Sequence, residues 1–519
     1  MWDRTLIRAA ALGGLAALVA SVAAAADPVS LPGLPPEPSI AQLQRLLTDH
    51  ATTVAAVEQH YARRINDFDV HGPALHAVIE LNPDAGAIAA TLDAHGQAGR
   101  GLLFGVPVLV KDNIDTADRM LTTAGSLALT GSRPPQDAFV VRRLREAGAL
   151  LLGKTNLSEW ANFRSTRSAS GWSGRGGQTR NPYDTTRNPC GSSSGSGVAV
   201  AADFAVVAVG TETDGSVVCP SSINGIVGIK PTVGLVSRSG IIPISASQDS
   251  AGPMARSVAD AATVLTVLAG YDPDDPATAV LKNQPPPDYR KFLNADISGM
   301  RVGVVRRFAG FHEGVDALLE QSLKTLRARG VVVVDVNLDL PKTLGDDENT
   351  VMQYEFKDGL NRYLSRRPSG PHTLAELIAF NQAHASEEMP WFQQELFTAS
   401  QARGPLTDAA YLKAHESRGV AARAIDTALK SQQLDALVAP TMGPASVIDL
   451  VDGDHFIGGD IAMPPAVAGY PHVTVPMGLV HGLPVGLSFV GTGFSEGTLI
   501  HLAYGFEQAA HARRPPSLR

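Results

Sequence analysis

Two cysteines, Cys190 and Cys219, are all that the 519-residue chain contains. That scarcity excludes a disulfide-stapled scaffold and a four-cysteine zinc site. Charge is sparse too: Asp, Glu, Lys and Arg make up 18% of the residues, and acids outnumber bases 51 to 43, for a formal net charge of −8. Such a balance lacks the basic footprint with which nucleic-acid binders hold phosphate, so no nucleic-acid partner is expected. No G-x-x-x-x-G-K-[ST] run is present to cradle a phosphate, and the 14 histidines form no H-E-x-x-H metal pair. Fixed-period repeats and low-complexity blocks are absent, and beyond residue 26 no apolar stretch reaches membrane-spanning length without charges. With 44% hydrophobic residues, the chain has ample material for a packed core, and a disordered class is excluded.

What is present starts with Arg4 and Arg8, followed by an apolar stretch from Ala9 to Ala26 that closes on the small residues Ala24 and Ala26. Basic start, apolar middle and A-x-A end read as a secretory signal over residues 1–26. An anchoring helix is the competing reading. The stretch is rich in Ala and Gly, and a proline-rich lead-in over 27–38 follows, which favours cleavage. The expected location is exported, periplasmic or secreted, with no stable membrane association once the signal is gone.

Residues 39–519 read as one large domain. Ser39 caps a helix expected over 39–66, with Ile40, Leu43, Leu46 and Leu47 at helical spacing. A second helix is expected over 84–93. Val106 to Val110 is a near-continuous apolar run ending at Lys111, the pattern of a strand buried on both faces. A helix over 137–147 and an apolar run over 149–152 follow, helix–strand alternation resumes at 255–269, and 301–336 reads as strand, helix, strand. The fold class is therefore α/β with a large sheet covered by helices. Residues 342–430 are more charged and helical in pattern, a helical insertion beside the core. Residues 164–197 lose apolar periodicity and are crowded with Gly, Ser, Asn, Thr and Arg, which marks a functional loop.

That loop ends in Cys190-Gly-Ser-Ser-Ser-Gly-Ser-Gly197, three consecutive hydroxyls between glycines. Further on, Thr211-Glu-Thr-Asp-Gly-Ser216 closes an apolar run with a serine after a glycine, a turn whose successive N–H groups can hold an oxyanion. Lys111, at the end of a buried strand, is a candidate for a desolvated general base. Singly these features are ordinary: glycine-serine loops are common linkers, and lysines at strand ends are commonly solvated.

Together they resemble the amidase signature family. Its G-G-S-S-G-G block and the nucleophile of its G-T-D-T-G-G-S block lie at a spacing matched here by Ser192 and Ser216. Asn224-Gly-Ile-Val-Gly-Ile-Lys-Pro-Thr232, Val475-Pro-Met, Gly482-Leu-Pro-Val-Gly486 and Glu507-Gln508 resemble it as well. The resemblance covers nearly all of residues 39–511. It implies a single large domain, a mixed β-sheet sandwiched between helical layers. Glu212-Thr-Asp-Gly-Ser-Val-Val-Cys-Pro220, Ser237-Arg-Ser-Gly-Ile-Ile-Pro243 and Ser247-Gln-Asp249 lean toward bacterial peptide amidases. Asp214 replaces the first glycine of G-G-S, and Val218 stands where many relatives carry arginine, which argues against a small anionic substrate.

The resemblance implies Ser216 as nucleophile, Ser192 as bridging serine held by a cis Gly191–Ser192 bond, and Lys111 as base. The oxyanion would rest on the N–H groups of Thr213, Asp214, Gly215 and Ser216. The implied activity is hydrolysis of a carboxamide, in particular the C-terminal amide of peptides, to acid plus ammonia, with no metal or organic cofactor. A broad-specificity amidase for small or aryl amides is an alternative within the family, as is an amidotransferase subunit. Asp112 is expected to tune Lys111 or to pair with a helix end or loop N–H, and Asn113 to fix a turn. Export makes a Cys190–Cys219 bridge conceivable, yet Cys219 in Val-Val-Cys-Pro reads as a small buried hydrophobe, so free thiols are expected. Gly191-Ser-Ser-Ser-Gly195 also satisfies G-x-S-x-G, making Ser193 a candidate α/β-hydrolase nucleophile with His472 or His481. That elbow must follow a strand, and residues 181–190 contain two prolines. A non-catalytic periplasmic binding protein is the remaining alternative, disfavoured because all three catalytic positions are filled.

Overall fold

The computed structural model describes residues 31, 33–95 and 101–518. The signal expected over residues 1–26 lies outside them. Thirteen strands form among the described residues: β1 Val78–Leu81, β2 Pro107–Lys111, β3 Leu150–Thr155, β4 Trp172–Ser173, β5 Gly177–Gln178, β6 Val207–Glu212, β7 Val227–Lys230, β8 Ser250–Ala255, β9 Arg301–Val305, β10 Val332–Val336, β11 Ala436–Pro440, β12 His472–Val480 and β13 Leu483–Val490. Eleven build one sheet in the order β1-β3-β2-β6-β8-β7-β12-β13-β11-β9-β10, while β4 and β5 pair separately. The sheet is mixed. β2 runs parallel to both β3 and β6, and β9 parallel to β10 and β11, whereas β6, β8, β7, β12, β13 and β11 alternate in direction. This is an α/β domain with a mixed sheet flanked by helices.

Every residue of β2 is buried, because the strand lies between two parallel neighbours under helices. That setting explains its unbroken apolar run and carries Lys111 to the end of a central strand. Pro107 takes the first position, where its missing N–H is tolerated. The helices Ser194–Ala201, Val258–Leu268 and Glu496–Ala510 pack on the sheet and share one large apolar core with it. β12 and β13 form a hairpin turning at His481 and Gly482, both with positive φ (49° and 84°), the geometry that suits the twist of paired strands.

Three expectations need revision. The helix foreseen over 39–66 is two helices, Ile40–Thr48 and Val54–Arg64. Ser39 caps the first, as expected, and the structure adds a capping box with Gln42. The chain then breaks at His50 (φ 53°), and Thr53 caps a new start by accepting from the Ala56 N–H. The loop expected over 164–197 is cut short as well, its last four residues forming the start of the helix Ser194–Ala201. Third, Cys190 and Cys219 are not free thiols but a disulfide, with Cα atoms 6.0 Å apart. Folding brings the loop before Ser192 against the helix Val218–Ile223 that follows Ser216, so two positions 29 residues apart in sequence meet.

Residues 342–430 carry five helices: Leu344–Leu364, Leu374–Ala383, Ala385–Glu388, Glu395–Gln401 and Ala409–Ser431. Phe356, Leu360, Leu364, Leu374, Leu377 and Phe397 form an apolar cluster with Trp160, Phe163, Ile242 and Ile244. Beneath it, the buried Arg164 guanidinium contacts Glu159 at 2.7 Å and reaches Glu388 at 3.9 Å. A buried cation needs such partners, and these fasten the helices to the loops around the site.

Candidate active site

Three segments converge at one end of the central strands. Lys111 ends β2, Ser192 lies just ahead of the helix Ser194–Ala201, and Ser216 lies between β6 and the helix Val218–Ile223. Lys111 is fully buried, and its Nζ stands 2.8 Å from Ser192 Oγ, 2.9 Å from Thr211 Oγ1 and 3.3 Å from the Thr211 carbonyl. Ser192 is fully buried as well, and the Gly191–Ser192 bond is cis. The Ser192 carbonyl accepts from the Ser158 N–H at 3.1 Å, and the Ser216 carbonyl accepts from the Ser193 N–H at 3.1 Å, which locks the two serine loops together. A side chain at Gly191 would put its Cβ 2.2 Å from Ser158 Oγ, so glycine is required by close approach.

Burial lowers the pKa of Lys111 to about 7, against a partial opposing pull from the carboxylates of Asp249 and Glu212. The site therefore makes a lysine that is substantially neutral near pH 7. Asp249 is held by Thr213 Oγ1 at 2.6 Å and by the N–H groups of Ile244 and Ser245. Burial still raises its pKa to about 6.

Ser216 borders a cavity of about 470 Å³, whose wall also includes Thr213, Asp214 and Gly215. Its hydroxyl makes a long contact, 3.5 Å, to the Asp214 carbonyl rather than to Ser192. Among the described residues, none accepts a hydrogen bond from the backbone N–H groups of Thr213, Asp214 or Ser216. Gly215 has φ 74°, which bends the turn so that successive N–H groups can converge. The N–H of Gly215 leans toward the Glu212 carboxylate. Glu212 Oε2 also accepts from the N–H groups of Val217 and Val218 at 2.7 and 3.0 Å, bracing the turn from behind.

The structure thus brings Lys111, Ser192 and Ser216 together, with the Thr213–Ser216 amides beside them. It gives Ser193 another task. Ser193 Oγ is buried, donates to the Thr211 carbonyl at 3.0 Å and accepts from the Thr211 N–H at 3.1 Å. His472 lies buried in β12 beside Ser488 Oγ, and His481 sits in the hairpin turn, so neither serves Ser193. The α/β-hydrolase elbow is excluded by this placement. Asp112 accepts from Thr123, the Gly125 N–H and Arg175, the loop-N–H pairing foreseen for it. Asn113 does more than hold a turn: its Nδ2 donates to Thr211 Oγ1 at 3.0 Å and fixes the oxygen that Lys111 contacts. The roles of Thr211, Glu212 and Asp249 around Lys111 were not legible in the sequence, although all three lie in or beside segments that carry the resemblance.

A buried lysine in contact with a buried serine, next to a cavity-lining serine on a turn with free amides, is an arrangement suited to acyl transfer. The model of the Amidase family matches residues 57–500, and the chain belongs to that family. It is an amidase, a hydrolase of linear amide bonds. A probable amidase of Arabidopsis thaliana is 41% identical over 460 residues, 86% of this chain and 85% of that protein. Among solved structures, the native peptide amidase from Stenotrophomonas maltophilia is 52% identical with a TM-score of 0.88, covering 93% of this chain and 99% of that one. The peptide amidase PAM in complex with the competitive inhibitor chymostatin is 53% identical with a TM-score of 0.89, over 93% and 99% of the two chains.

Proposed function

We propose that the chain hydrolyses the C-terminal carboxamide of peptides to acid and ammonia, with Ser216 as nucleophile, Ser192 as relay and Lys111 as base. The observation that carries the reading is the Lys111–Ser192 contact buried directly behind a cavity-lining Ser216. The likeness to peptide amidases at about half identity supports the substrate class.

A serine hydroxyl needs an adjacent base to attack an amide. Neutral lysine has two N–H bonds and one lone pair. With its N–H bonds donated to Thr211 Oγ1 and the Thr211 carbonyl, the lone pair is left for the Ser192 hydroxyl. Rotation of Ser216 about its Cα–Cβ bond turns its hydroxyl from the Asp214 carbonyl to Ser192, a tightening expected when substrate binds. Ser216 then attacks the amide carbon as its proton passes to Ser192 and that of Ser192 to Lys111. The developing oxyanion meets the free amides of Thr213, Asp214 and Ser216, each such donor contributing roughly 3 kcal/mol to the transition state. The relay returns a proton to the leaving nitrogen, ammonia departs, and water resolves the acyl-enzyme by the same path.

Export fits this chemistry. The Cys190–Cys219 bridge, placed between the two serine loops, supports an oxidising compartment, in keeping with the basic-then-apolar start of the chain. The test of function is mass spectrometry of a pool of C-terminally amidated peptides before and after incubation. Exchange of the terminal NH2 for OH, without fragments, is expected. Internal cleavage, or no change in any member, overturns the reading.

A further inference from the structure

The cavity over Ser216 has walls of two kinds. Ala161, Phe163, Ile244, Met352, Met442 and Phe456 make most of it apolar. Its charged side chains are all acidic, Asp214 and Asp460, and no Lys, Arg or His lines it. Asp214 has a buried oxygen, Oδ1, without a hydrogen-bond partner. Such an acceptor is costly to leave unused. Behind it stands Glu348, contributed by the helix Leu344–Leu364, whose Oε1 accepts from Gln248 Nε2 at 2.7 Å. Burial and mutual repulsion among Asp214, Glu348, Asp460 and Glu212 hold the pKa of Asp214 well above the ordinary carboxylate value. No cationic side chain lines this wall.

We propose that Asp214 and Asp460 set the side-chain preference of the enzyme, so that the cavity takes amides with a cationic or neutral group near the scissile carboxamide and refuses those with a carboxylate there. The proposal rests on the peptide-amide reading above and deepens it. An ammonium or guanidinium satisfies the unused oxygen and brings the positive charge that favours the ionised form of Asp214, which burial and the neighbouring carboxyls disfavour, whereas a carboxylate brings no N–H and adds to the crowding of acids around Asp460 and Asp214.

The test compares kcat/KM for three acylated dipeptide amides that differ only in the last residue, Lys, Leu or Glu, in the wild type and in Asp460→Asn. Asp460 is outside the proposed relay and has φ 66°, a conformation Asn adopts readily, so the fold is retained. The Lys amide is expected to exceed the Glu amide by about a hundredfold, and Asp460→Asn to cut that ratio by about tenfold. Higher ionic strength should narrow the wild-type ratio, a readout that needs no variant. Hydrolysis of the Glu amide within about twofold of the Leu amide overturns the proposal while leaving the amidase reading intact. So does a ratio insensitive to both salt and Asp460→Asn. If not even the Leu amide is hydrolysed, the peptide-amide reading falls and this inference falls with it.

Discussion

The pH dependence of the reaction follows from where Lys111 sits. Lysine acts as base only when neutral, and burial brings its pKa from 10.5 down to about 7. At pH 5 about one molecule in a hundred would then hold a neutral lysine, and by pH 9 nearly all. The expected profile of kcat/KM rises about tenfold per pH unit below 7 and levels off above it, because kcat/KM reports ionisations of the free enzyme. A solution-like lysine would give a limb still rising at pH 10. Folding carries the same signature. The folded value lies below the unfolded one, so between about 7 and 10.5 the unfolded chain binds the extra proton. The group is therefore fully unfavourable to folding below pH 7, and its penalty fades as pH rises toward 10.5. Lys111→Met should abolish amide hydrolysis, remove that rise in stability with pH, and stabilise the fold at pH 7 by roughly 4 kcal/mol, since each pKa unit corresponds to about 1.4 kcal/mol. Initial rates across pH 5–10, with urea titrations of both proteins at several pH values, check both parts. A profile that is flat from pH 5 to 9, or that keeps its limb in Lys111→Met, would refute the assignment of Lys111 as base.

Other consequences divide function from architecture. Ser192→Ala should lower kcat by about a hundred- to ten-thousand-fold with amides, since it breaks the proton path, and by less with activated esters, whose leaving group needs no proton. Ser193→Ala should keep activity within a few-fold yet cost about 1–2 kcal/mol, because it leaves the Thr211 backbone without its buried partner; a denaturation midpoint equal to wild type would count against that brace. Removing the disulfide by the double substitution Cys190→Ala and Cys219→Ala should cost about 3–4 kcal/mol from the loop it closes, and a reductant should lower the thermal midpoint of the wild type alone. Equal midpoints with and without reductant would show that the bridge does not form.

The parts of this site that can be read from sequence are those encoded by local pattern. The unbroken apolar run up to Lys111 reads as a strand buried on both faces, as β2 is, and the resemblance pairs Ser192 with Ser216 by their spacing. The N-cap at Ser39 is equally local. What escaped notice depends on segments far apart in the chain. Lys111 and Asn113, on one backbone stretch, meet Thr211 on another, and nothing in either stretch specifies the other. Cys219 does read as a small buried hydrophobe, and it is buried, but its partner comes from a loop whose path is set by the close packing of Gly191 on Ser158. Asp214 stood out as a replacement for glycine. Its setting became apparent only when Glu348 arrived from a helix more than a hundred residues downstream. The break at His50 shows the converse failure, in which apolar periodicity carried a helix across a turn.

The most direct test of the account is to find where the acyl group goes. The enzyme, mixed with an amidated peptide and quenched in acid during turnover, can be digested and the modified residue located by mass spectrometry. The account predicts the peptide acyl group as an ester on Ser216, with neither adduct nor turnover in Ser216→Ala. An adduct on Ser193, or ammonia still released by Ser216→Ala, would contradict it.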